Sequence, residues 1–357
     1  MDEMTEFATL RYNAASATAG AGMLGLIGLA AVCAVFSYFA NGLLMPAFQR
    51  YALARPNARS SHSVPTPQGG GVAVLLAVLA GLVLFAWTPV SSGVLTPPFL
   101  LTGLGALILA VAGAWDDIVN LPVLPRLAAQ FGAAVLGVAA VARGEPIAFS
   151  GTLTILLPLA VIGLVWFINL SNFMDGIDGI TVAEFVPMCG ALAVLASMGA
   201  LSPAAGALAA ALTGALTGFA PHNRHVARLF LGDTGSLAIG FVAGCLLLWL
   251  LMAGHPVAAL ILPLYYLADA TLTLALRLLR GENVTQAHRT HFYQRATDLG
   301  WSVPAITRRI ALVNLGLAAL AIVSVLVPGW PRQALMLIFA CGLTVMLLRD
   351  LSRAPTL

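Results

Sequence analysis

Apolar residues recur along this chain in runs of about 20, the length a helix needs to cross a bilayer. Gly, Pro and charged residues separate them. The runs lie near 23-45, 69-88, 98-115, 126-142, 153-170, 180-199, 203-220, 236-253, 256-279, 304-327 and 332-349. This pattern predicts an all-α fold: a polytopic membrane bundle of ten or eleven transmembrane helices, forming one domain over 1-357. The count is open by one because Ser202-Pro203 and Gly254-His255-Pro256 join neighbouring runs by only a few residues. The first run is long and its flank carries Asp2, Glu3 and Glu6, which does not fit a cleaved signal peptide, so it is expected to remain as an anchor.

Composition agrees with the pattern. Of 357 residues, 60% are hydrophobic and 9% charged, whereas soluble domains carry about a quarter charged residues. All 17 basic residues are Arg, which excludes Schiff-base and P-loop lysine chemistry. Cys33, Cys189, Cys245 and Cys341 stand singly inside apolar runs, as packing residues do. With a net charge of +3, no nucleic-acid partner is expected.

Charge distinguishes two sets of loops. One is short and nearly uncharged. The other carries Arg50, Arg55, Arg59, Arg126, Arg224, Arg228, Arg280, Arg289 and Arg295, and by the positive-inside rule it faces the cytoplasm. Asp116, Asp117, Asp175, Asp178, Asp233, Glu282 and Asp298 gather in or beside this second set. Pairing with Arg on a solvated surface accounts for any one of these acids. It does not account for the set, because they sit at the ends of spans, where charge is costly.

Four clusters carry candidate chemistry. Asp116-Asp117, followed by Arg126, places two carboxylates at a helix end, where they repel unless a cation or a shared proton joins them. Asn169, Asn172, Asp175 and Asp178 put an oxygen-bearing side chain at every third position, and the Asp-Gly pairs suggest turns. Such hard oxygen ligands suit Mg²⁺ or Mn²⁺ and phosphates. In Gly232-Asp233-Thr234-Gly235-Ser236, Asp233 is a natural metal ligand and Ser236 is expected to cap the next helix. His288-Arg289-Thr290-His291 forms a cationic patch suited to a pyrophosphate; His222, His225 and His255 read as ordinary loop residues.

These residues resemble a known family. DDxxxLxxxxRLxxQ from Asp116, NxxNxxDGxDG from Asn169, FxGDxGS from Phe230 and HRxHxYQ from His288 are similar to the motifs of the polyprenyl-phosphate N-acetylhexosamine-1-phosphate transferases. The segment from Arg55 through Arg59 and His62 to Gly69-Gly70-Gly71 resembles that family's first cytoplasmic loop. The resemblance implies a catalytic role for Asp116, Asp117 and Asp233, with the paired aspartates at the lipid phosphate. It implies a metal held by Asp233, Asn172 and Asp117, uracil near Asp178 with Asn169 and Asp175 in the same pocket, and a sugar diphosphate held by His288, Arg289 and His291. Arg126 stands where members often have Lys.

The implied reaction is transfer of an N-acetylhexosamine 1-phosphate (GlcNAc, QuiNAc or FucNAc type) from a UDP-sugar to undecaprenyl phosphate at the bacterial inner membrane. UMP is released and an O-antigen or polysaccharide is begun. Peptidoglycan enzymes carry three consecutive histidines where this chain reads His288-Arg-Thr-His291, so phospho-N-acetylmuramoyl-pentapeptide transfer is the alternative. Homodimerisation is left open. A transporter or flippase would place charges midway along spans, which only Glu184 and Asp269 approach. A scaffold would need none of these motifs.

Overall fold

In the computed structural model, residues 3–54, 65–88, 96–119, 121–144, 153–283 and 288–355 are described, with 3–21 and 153–155 as helical backbone alone. Arg55, Arg59 and His62 lie outside them. The chain is a bundle of helices: α1 (Glu3–Tyr51), α2 (Gly70–Ala86), α3 (Pro97–Val119), α4 (Val123–Gly144), α5 (Leu153–Met174), α6 (Ile180–Ser197), α7 (Pro203–Asn223), α8 (Gly232–Met252), α9 (Pro256–Ile261), α10 (Leu264–Leu279), α11 (Phe292–Asp298), α12 (Val303–Leu326) and α13 (Trp330–Leu351). Strands β1 (Leu53–Ala54) and β2 (Thr66–Pro67) pair antiparallel.

Among the described residues, nine helices are long and apolar enough to cross a membrane, and α2 is an apolar helix of 17 residues. Large apolar side chains such as Leu43, Leu84 and Leu124 face outward, as lipid-facing residues do. The protein is a polytopic helical membrane protein. Two expected runs differ from the structure. The run at 256–279 is not one helix: it breaks between Ile261 and Leu264, where Pro263 lacks the N–H that a continuous helix would need. The first helix extends well before the expected residue 23, although its candidate span is Gly22–Tyr51.

Helix α8 lies at the centre, in contact with α2, α3, α4, α5 and α9. Glycines allow this crowding: a Cβ on Gly240 would meet Ser171 of α5 at 2.7 Å, and one on Gly105 of α3 would meet Phe241 at 2.5 Å. Without a hydrophobic force between helices in lipid, small residues that let backbones touch are the main source of association. The ends of α3 and α5 and the starts of α4, α6 and α8 come together at one end of the bundle, and the loop into α11 joins them there.

Candidate active site

The site is built around the first turn of α8. Asp117, at the end of α3, accepts the backbone N–H of Asp233 at 2.9 Å through one oxygen. Its other oxygen accepts the N–H and the hydroxyl of Thr234, at 3.2 and 3.0 Å. A carboxylate on the free N–H groups of a helix start is stabilised by the helix dipole, by about 1 kcal/mol. Asp117, 116 residues distant in sequence, thus does the capping expected of Ser236. Ser236 lies one turn inside α8, because the helix begins at Gly232, and its Oγ accepts from the Asn172 amide at 2.9 Å.

The same Asn172 nitrogen donates to Asp233 Oδ1 at 2.8 Å. Asp116 is buried and spends one oxygen on the Leu121 N–H at 2.7 Å and the other on Arg126 at 3.0 Å, which fixes the turn into α4. The carboxylates of Asp116 and Asp117 both act electrostatically on Asp233. Asn169 turns to Gln130 of α4, donating at 2.7 Å; Gln130 closes the first motif, four residues after Arg126.

Asp175, between α5 and α6, accepts the Thr181 hydroxyl. Burial, with the charges of Asp117 and Asp178, raises its carboxyl to about 6 against the lowering effect of Thr181. Asp178 is buried: it accepts the Ala227 N–H at 3.1 Å and stands 2.8 Å from His225 Nδ1. His225 is therefore no ordinary loop residue but the partner of a motif aspartate. Its position between Arg224 and Arg228 was the available signal.

The segment before α2 also belongs here. Gln68 donates to the Asp117 carbonyl at 3.0 Å, while Gly70 and Gly71 donate their N–H groups to the carbonyls of Phe230 and Leu231. A Cβ on Gly71 would lie 2.3 Å from the Gly235 Cα, so only glycine lets the two segments run side by side. His291 is buried, with Nδ1 3.2 Å from Asp269, and its ring stacks near Tyr293 with His288 on another side. Arg289 lies 3.6 Å from Asp298. Asp269 is thus tied to the histidine loop, and Glu184 accepts from Asn314 of α12 at 2.6 Å; these were the two acids that came nearest to a transport pathway.

Of the expected metal set, Asn172 bonds the Asp233 carboxylate and Asp117 bonds the Asp233 backbone N–H. Among the described residues, no three of His, Cys, Asp and Glu form a closed ligand shell. The donors, carboxylate and amide oxygens near the start of α8, are of the kind a hard divalent cation takes, and Arg126 is bonded to Asp116 beside them.

The glycosyl transferase family 4 model matches residues 99–251, a range that contains Asp116, Asp117, Asn172 and Asp233. The decaprenyl-phosphate N-acetylglucosaminephosphotransferase of Mycolicibacterium smegmatis is 36% identical over 238 residues, covering 59% of this chain and 56% of that protein. A Bacillus subtilis protein named "Probable undecaprenyl-phosphate N-acetylglucosaminyl 1-phosphate transferase" is 28% identical over 70% of this chain and 71% of its own. The phospho-N-acetylmuramoyl-pentapeptide-transferase of Limosilactobacillus reuteri is 27% identical over 82% of this chain and 96% of its own. The chain spans just over half the length of the mycobacterial relative it matches.

Proposed function

We propose that this chain, whose residues 99–251 match the glycosyl transferase family 4 model, transfers an N-acetylhexosamine 1-phosphate from a UDP-sugar to undecaprenyl phosphate. The sugar is of the GlcNAc, QuiNAc or FucNAc type, the product begins an O-antigen or polysaccharide, and the site faces the cytoplasm from a bacterial inner membrane. The observation that carries the reading is the meeting of Asp116, Asp117, Asn172 and Asp233 at one end of the bundle, beside Arg126.

The chemistry is a single displacement. An oxygen of the lipid phosphate bonds to the sugar-bearing phosphorus of the donor, the bond to the bridging oxygen breaks, and UMP leaves with that electron pair. A phosphate monoester is largely dianionic at neutral pH, its second pKa being about 6, so no strong base is needed. Mg²⁺ or Mn²⁺ held at Asp233 would neutralise charge that develops on the transferring group and on UMP. Asp116 holds the Arg126 fork for the lipid phosphate, Asp117 holds the start of α8 in place, and Asn172 orients Asp233. Asn169, Asp175 and Asp178 shape the nucleotide side of the site, and His288, Arg289 and His291 bring positive charge to the diphosphate. Positioning and electrostatics of this kind supply most of the catalysis in phosphoryl transfer.

The test is release of radiolabelled UMP from a panel of UDP-N-acetylhexosamines and UDP-N-acetylmuramoyl-pentapeptide, each with undecaprenyl phosphate, with and without EDTA. EDTA-sensitive release with an unsubstituted N-acetylhexosamine is expected. Release from the pentapeptide donor alone would move the chain to the peptidoglycan reaction, and none from any donor would end the proposal.

A further inference from the structure

One buried carboxylate outside the assigned site gathers an unusual number of donors. Asp269, fully buried in α10, accepts from Tyr265 Oη and Thr273 Oγ1, both at 3.3 Å, and from the N–H groups of Phe292 at 3.0 Å and Tyr293 at 3.3 Å. His291 Nδ1 stands 3.2 Å from its Oδ1. A carboxylate has about four acceptor positions and no proton to give when ionised. Five groups that can all donate therefore fill those positions.

The histidine follows from this. Facing an acceptor, Nδ1 carries the ring proton, and Nε2 is left on the edge turned away from Asp269. The ring is also held in plane: its centroid lies 4.9 Å from that of His288 and 5.8 Å from that of Tyr293. Tyr293 in turn donates its hydroxyl to the Phe173 carbonyl at 3.0 Å, one residue from Asn172. A Cβ on Gly176 would come within 2.2 Å of that hydroxyl, so glycine is what admits it. The histidine loop is thereby fastened to the end of α5 through Tyr293, whose own N–H is held by Asp269.

We propose that Asp269 is a positioning residue for the His288–His291 loop: its carboxylate holds Nδ1 of His291 and the first N–H groups of α11, and so presents Nε2 of His291 to the diphosphate of the donor. This rests on the function proposed above.

The experiment uses the full chain in lipid nanodiscs, with Asp269→Asn, Asp269→Glu, His291→Gln and the Asp269→Asn/His291→Gln pair. Two readouts are taken: trypsin cleavage after Arg289, which does not require activity, and steady-state turnover with each substrate varied. Asp269→Asn is expected to speed cleavage after Arg289 about tenfold, and to lower kcat/KM for the UDP-sugar about 30-fold while KM for undecaprenyl phosphate stays within about threefold. In the His291→Gln background the same substitution should cost little more, because two residues acting as one unit are not additive. Asp269→Glu should recover part of the loss. Unchanged cleavage and donor kinetics, full additivity with His291→Gln, or a variant that fails to fold as both Asn and Glu overturns the proposal. If the unaltered protein releases no UMP, the function assigned above fails, and the cleavage rates alone then decide whether Asp269 holds the loop.

Discussion

The seam between α1 and α7 and the cluster at the start of α8 use the same packing device for different ends. Along the seam, a Cβ on Gly214 would lie 2.0 Å from the Ala30 carbonyl oxygen, and one on Gly218 would lie 2.1 Å from that of Ala34. At the cluster, a Cβ on Gly113 would lie 2.5 Å from the Asp233 backbone, and one on Gly232 would lie 2.7 Å from Asp117 Oδ2. In both places glycine lets one backbone touch another. At these glycines the seam brings small and apolar groups together, and His222 of α7, 3.0 Å from the Tyr38 carbonyl of α1, adds a neutral backbone pairing, so its product is adhesion. The cluster brings a carboxylate onto the N–H groups of a neighbouring helix, and its product is a concentration of charge that lipid would not otherwise tolerate.

Substitutions can break that contrast. The largest effect is expected at the seam: Gly214→Leu forces a side chain into the backbone of α1, at a cost of about 3 kcal/mol or more. The variant should lose folded protein and turnover in parallel, measured by size-exclusion yield and UMP release. Next is Asp233→Asn, expected to lower kcat at least about 100-fold while its melting temperature stays near that of the unaltered protein. If Asp233→Asn instead melted early, the cluster would be a packing element like the seam. Asp117→Asn lies between the two, since Asp117 both caps α8 and faces Asp233. It should lose about 1 kcal/mol of stability, seen in a thermal melt, and also lose activity.

The smallest effect concerns pH. Burial raises Asp175 to about 6, above the 3.8 of a free side chain. A raised folded-state pKa means stability that is fully present below the lower value and lost as pH rises through the higher one. Asp175→Asn should therefore melt higher relative to the unaltered protein at about pH 7.5 than at about pH 5. An equal difference at both pH values would show that Asp175 is already ionised in the folded protein at about pH 5, its pKa not raised by burial.

Much of the fold was legible because lipid imposes a simple rule. Each run of apolar residues between charged breaks became a helix, apart from 256–279, where the weight of one internal Pro263 went unread against a strongly apolar stretch. The motif acids were legible because glycines and asparagines surround them at span ends. His225, Gln68 and Asp269 were not. His225 sits among exposed residues, Gln68 has an ordinary polar side chain, and Asp269 lies inside an apolar run with nothing beside it to name the loop it holds.

The sequence by itself determined that the chain crosses a membrane many times and that oxygen-bearing side chains collect at span ends, because hydropathy and local spacing are properties of neighbours in the chain. Only the tertiary structure decided the pairings: Asp117 with the first turn of α8, Asp178 with His225, Asp269 with His291. Each joins residues on separate helices or loops. No local propensity encodes such a meeting, which depends on which glycines allow two backbones to close together and on a buried carboxylate finding the donors it cannot do without.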